Sequence, residues 1–407
     1  MSNPNAFDGA GLEPAPSRIT RFREDRRLSM IAGLRSLSLA GILLTVVFCI
    51  FHYQEDLNIQ NLRRIVSYID QLTFSASETD TFTFDAGLST AYEAFDVGVA
   101  TCSGGSFRFI PPFENMGFSE QIKYADPHMR VSGGSVFVYD LGGRGISRFN
   151  SYSRLAETTM DCRILSFSSN SAGQCAVVTD EEGYRTALTV LDKHLKEIYK
   201  WQTSEHFAFL SALSPNGRTA AVLCVGQKEG AADFYIRYQP VNGDDCTVTI
   251  DLGARKVYSM EYADNDRLML LCEDGVYAYD DDGALKGSFD FSSGSLIAFD
   301  HRPEGSCAFT LKGDRGDSSR VVVLDGKCAV RFDATCEGDV RLLACGSGQL
   351  AWLSGKTLFT AALSEGEIKS TELSGVRDVL ITETGRVAAV FGDCARIIDL
   401  GEAQEGA

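Results

Sequence analysis

The sequence predicts an all-β chain: a β-propeller, eight blades favoured and seven the alternative, preceded by a single N-terminal transmembrane helix. Three observations predict it. An eighteen-residue uncharged run lies near the N-terminus. The patterning changes from helical to period-two at about residue 73. From there a four-strand unit recurs at a spacing of roughly 40 residues. The composition agrees, since 39 Gly against 9 Pro suit many tight turns, and 44% hydrophobic with 23% charged residues is globular.

The uncharged run covers residues 36–53, SLSLAGILLTVVFCIFHY. At about 1.5 Å per residue it spans roughly 27 Å, close to a hydrocarbon core about 30 Å thick. Arg18, Arg21, Arg23, Arg26, Arg27 and Arg35 precede it, and Glu55 and Asp56 follow it. Positive residues stay on the cytoplasmic side, so the N-terminus faces the cytoplasm and everything after about residue 54 lies outside, at the cell membrane. Thirty-five residues precede the run and no small-x-small site follows it, which favours an uncleaved signal anchor over a signal peptide.

The expected organisation is therefore a disordered basic tail at 1–33, a transmembrane helix at 34–54, a juxtamembrane helix or linker at 55–72, a propeller at 73–401 and a disordered tail at 402–407. In the juxtamembrane stretch Leu62, Ile65, Val66, Ile69 and Leu72 share one helical face. A spacer packed on its own domain explains them better than a dimerisation helix.

The propeller units are read from three recurrences. Each unit has a turn followed by an apolar run, such as Gly173-Gln174-Cys175-Ala176-Val177-Val178 or Gly385-Arg386-Val387-Ala388-Ala389-Val390. A second strand ends near a turn, as in Val190-Leu191-Asp192, Ala278-Tyr279-Asp280 and Val323-Leu324-Asp325. A third leaves that turn, and a further apolar strand such as Phe207-Ala208-Phe209-Leu210-Ser211-Ala212-Leu213 runs ahead of the unit. The Ala/Val/Leu/Cys runs should be inner and covered on both faces, while the third and fourth strands alternate nearer solvent. Units start near residues 91, 122, 159, 206, 255, 295 and 340, and an incomplete one begins at 377. Thr81-Phe82-Thr83-Phe84-Asp85 alternates well and should complete that last unit, because a closed ring leaves no open sheet edge.

Two phrases carry a resemblance: Asn61-Leu62-Arg63-Arg64-Ile65-Val66-Ser67-Tyr68, and Ala125-Asp126-Pro127-His128-Met129-Arg130-Val131-Ser132-Gly133-Gly134 leading into Val136-Phe137-Val138-Tyr139-Asp140-Leu141-Gly142-Gly143. With the anchor and the repeats, the chain from about residue 30 onward resembles the bacterial family DUF5711, membrane-anchored propeller proteins of Gram-positive lineages. The resemblance implies a fold and a location and no activity. The turn Ser214-Pro215-Asn216-Gly217-Arg218 is similar to those of TolB-type and prolyl-oligopeptidase-type propellers, but it is a generic reversal, and no Gly-x-Ser-x-Gly elbow accompanies it.

Candidate chemistry is sparse. Asp280-Asp281-Asp282-Gly283 reads as a hairpin turn in preference to a calcium loop, since no later Glu ligand stands at fixed spacing. Arg315-Gly316-Asp317 is a tripeptide that arises readily in a charged, Gly-rich loop. His128, His194, His206 and His301 are scattered. Twelve Cys include no Cys-x-x-Cys pair, which argues against a zinc site or a thioredoxin-like function, and most read as structural thiols. One or two disulfides, with Cys328 and Cys336 as candidates, remain open. Neither Trp201 nor Trp352 sits in a sialidase box or a Trp-Asp repeat. No catalytic, cofactor-binding or metal residue is assigned, and no cofactor is expected.

A net charge of −17 disfavours nucleic acid, which wants a basic surface. The expected partners are the lipid bilayer, through the N-terminal helix, and an envelope or membrane protein. The favoured function is a binding or scaffolding module. The alternative is an enzyme or small-ligand sensor acting at the mouth of the central channel, which requires polar or charged side chains from several blades to converge there.

Overall fold

The structure is a computed structural model. It describes residues 26–52 and 80–398, apart from 88–89, 104, 113–116, 229, 244–245, 247, 293, 303–304 and 314–317. The juxtamembrane stretch 55–72, the C-terminal tail and Arg315-Gly316-Asp317 lie outside the described residues. Two units are distinguished, 1–58 and 59–407.

The first contains one helix, Arg26–His52, of 27 residues. Leu37, Leu39, Ile42, Leu43, Leu44 and Phe48 are exposed on it. Among the described residues no helix is long and apolar enough to cross a membrane.

The second unit is all-β, with eight four-stranded antiparallel sheets. Seven follow the chain order, first strand to fourth. Their first strands are Ala91–Phe95, Pro127–Ser132, Ile164–Ser169, Phe207–Leu213, Val257–Asp264, Ser295–His301 and Val340–Gly346. Blade 8 is Asp378–Ile381, Val387–Val390 and Cys394–Ile397, and its outer strand is Thr81–Thr83, paired Thr81 to Arg396 and Thr83 to Cys394. The first strand of every blade touches that of the next, and blade 8 touches blade 1. The ring is therefore closed, with eight blades and the first strands around the axis. Seven blades are excluded.

Blades 2 and 3 begin about five residues later than the sequence pattern placed them. Asp140 accounts for the first shift. Its Oδ1 accepts the backbone N–H of Ala125 and of Asp126, tying those residues into a connection before Pro127.

Packing explains the apolar runs. Among the described residues, hydrophobic clusters are each shared by two neighbouring blades, for example Phe137, Ile146, Phe167 and Val177 between blades 2 and 3. A second strand such as Cys175–Thr179 is buried throughout because it meets a neighbouring blade on both faces. Some third strands are more enclosed than the sequence pattern suggested, and Thr186–Leu191 is buried along its whole length. Others alternate as expected, as in Ser106–Ile110, and so do fourth strands such as Leu285–Asp290.

Candidate functional site at the propeller axis

The first strands supply the axis, and several carry one charged residue in an apolar setting. Arg130, on blade 2, forms an ion pair with Glu261, on blade 5. These blades are not neighbours, so the two side chains meet across the central channel. Glu261 keeps only 7% of its side-chain surface and Arg130 23%. Such an ion pair is costly to desolvate, and it persists where each charge has the other as its partner.

Around this bridge stand further polar groups. His301, closing the first strand of blade 6, lies with Nδ1 3.0 Å from Ser259 Oγ of blade 5. Burial, aided by the Arg130 charge, pushes its pKa down to about 3, so the ring is neutral at physiological pH. Asp300 accepts Arg302 Nε on both carboxylate oxygens at 3.1 Å, and its Oδ2 accepts the backbone N–H of Cys345 on blade 7 at 2.8 Å. Tyr92 Oη donates to Asp378 Oδ2 at 3.2 Å, joining blades 1 and 8. Burial raises the pKa of Asp378.

Glu93 is the exception within this group. It sits mid-strand on blade 1, half-buried, with no hydrogen bond or ion pair among the described residues. Burial pushes its pKa up to about 7; Arg302 and Arg130 pull it down, while Asp300 and Asp378 push it further up. A carboxyl group poised near neutrality on the axis can take up or release a proton. Polar side chains from blades 1, 2, 5, 6 and 8 therefore converge along the axis.

The residues singled out in the sequence are placed elsewhere, His301 excepted. His128 stacks on Tyr139, His194 sits in a turn capped by Asp192, and His206 Nδ1 lies 2.6 Å from Tyr235 Oη. Asp280-Asp281-Asp282 forms a hairpin turn. Gly283 adopts φ 78°, its N–H donates to Asp280 O, and Ala284 N–H donates to Asp280 Oδ1 at 2.7 Å. Asp280 Oδ2 is also held 2.8 Å from Lys286 Nζ, so the first carboxylate of the run is committed to the turn. Cys328 and Cys336 are unpaired, as are the other nine cysteines described. Cys328 is buried in a turn, its thiol pushed up to about 11 by burial.

Glu93, Arg130, Glu261, Asp300, Arg302 and Asp378 were not selected from the sequence. For Glu93 and Arg130 the signal was a lone charge within an apolar first strand, as in Ala91-Tyr92-Glu93-Ala94-Phe95 and Met129-Arg130-Val131.

Residues 73–391 match the profile of the family of unknown function DUF5711. The chain belongs to DUF5711. No curated protein matches the sequence significantly. This DUF5711 propeller is similar to the C-terminal WD40 domain of Sif2, with a TM-score of 0.54 and 10% identity over 79% of this chain and 98% of that one. It is also similar to Sqt1 of Chaetomium thermophilum, with a TM-score of 0.51 and 14% identity over 81% and 100%. BamB from Moraxella catarrhalis matches at 0.48 and 10% identity over 79% and 99%. At such identities the likeness to Sif2 and Sqt1 extends to the fold alone, and the axial charges of this DUF5711 member stand on its own residues.

Proposed function

We propose that the protein is a membrane-anchored binding module, with its N-terminus in the cytoplasm and its propeller outside the cell as a scaffold for an envelope or membrane protein. The anchor is supported by the uncharged run at 36–53, the six flanking arginines and the exposed apolar side chains of the helix Arg26–His52, which call for an apolar solvent. The scaffold reading rests on the Arg130–Glu261 bridge. A ring obstructed across its axis presents faces and turns to a partner more readily than a through-channel to a substrate.

The unpaired Glu93 favours a second reading, a small ligand held within the central channel.

Photocrosslinkers placed at Asn216 on one face and Tyr184 on the other test the first reading in cells. The expected outcome is a discrete adduct with one envelope protein from at least one face. Absence of any adduct from both faces overturns it, and so does a C-terminal reporter active only in the cytoplasm.

A further inference from the structure

An open cavity of about 510 Å³ lies between blades 6 and 7, on the face that carries the turns between first and second strands. That volume falls in the range of small-molecule sites, about 300–1,000 Å³. Both charged side chains on its described wall are arginines, Arg302 and Arg331, and Ser306, Ser347 and Ser364 add hydroxyls. In a chain of net charge −17, two guanidinium groups facing one cavity run against the overall field.

The arginines are positioned but not used up. Asp300 grips Arg302 through Nε alone. Asp300 is itself fixed by the Cys345 backbone, so the guanidinium is oriented from behind. The terminal nitrogens of Arg302 have no hydrogen-bond partner among the described residues. Arg331 has only a 3.9 Å approach of its Nε to Asp325, and 66% of its side chain is exposed. Ser347 Oγ is engaged by Thr382 O and Glu383 O, whereas Ser306 and Ser364 keep their hydroxyls free among the described residues. A planar guanidinium with its terminal N–H groups open matches the two oxygens of a carboxylate or phosphate.

We propose that this cavity binds an organic oxyanion, a carboxylate or phosphate group on a body of small-molecule size, with Arg302 and Arg331 as its cationic contacts.

Calorimetric titration of the full chain in detergent tests this, with succinate and inorganic phosphate as probes and chloride at matched ionic strength as the control. Saturable binding of either probe is expected, and which one binds identifies the head group. Arg331→Gln removes an exposed, loosely held side chain, so the fold should persist with an unchanged melting temperature. Its affinity should fall at least about tenfold. Arg386→Gln, at the neighbouring cavity between blades 7 and 8, should leave affinity unchanged. The proposal is overturned if neither probe binds above the chloride control, or if Arg331→Gln binds as the parent does.

Discussion

Glu93 concentrates the electrostatic tension of the axis in one residue. Its carboxyl titrates at about 7 against an ordinary 4.5, because burial penalises the charged form. The fold thus favours the protonated state. The penalty is absent below about pH 4.5, grows as pH rises and levels off above about 7. Moving the carboxyl from 4.5 to about 7 corresponds to at most roughly 3 kcal/mol at pH 8. Glu93→Gln should therefore stabilise the protein at pH 8 by up to that amount and change little at pH 4.5, as read from urea unfolding at both pH values. A variant no more stable than the parent at pH 8 would refute the assignment. His301 acts with the opposite sign, since a pKa lowered to about 3 costs stability as pH falls below 6.5. That term is common to both proteins and cancels in the comparison. The sequence shows Glu93 and Arg130 each as a lone charge in an apolar strand, but not their meeting. They lie 37 positions apart until the ring brings their strands to one axis.

The blade elements repeat their turn chemistry as well as their strands. Asp192, Asp280 and Asp325 each accept the backbone N–H four residues ahead on a side-chain oxygen, at 2.9, 2.7 and 2.9 Å. The residue before that position adopts positive φ: Leu195 at 58°, Gly283 at 78° and Cys328 at 61°. This shared geometry explains why the acidic run at 280–282 was readable as a turn, and why Cys328 is locked in a hairpin away from a disulfide. One glycine is forced by a neighbour. Gly133 has φ 57°, and a Cβ there would lie 2.1 Å from Ser171 O of blade 3. The closing strand was legible because Thr81-Phe82-Thr83 alternates without a partner in its own vicinity. Phe82 is 1% exposed and belongs to the core shared by blades 8 and 1. Phe82→Ala should cost about 3–5 kcal/mol in denaturant unfolding. A loss under 1 kcal/mol would mean that the seam strand is not held as described.

At the scale of the whole molecule, stability comes from cores distributed around a closed ring, one between each pair of neighbouring blades. No disulfide contributes among the eleven cysteines described. A reductant should leave the melting temperature unchanged, and thiol reagents should reach Cys162, Cys246, Cys336 and Cys394 well before buried Cys175 or Cys224. A fall of several degrees on reduction would show a cross-link that this structure lacks. The sequence by itself determined the blade repeat, the turns, the closing strand and the family, because period-two patterning and turn residues act over a few positions along the chain. Only the tertiary structure decided the axial site, the Arg302–Arg331 cavity and the unpaired thiols. Those depend on which side chains distant in sequence meet when eight sheets close into a ring, and no local pattern encodes that meeting.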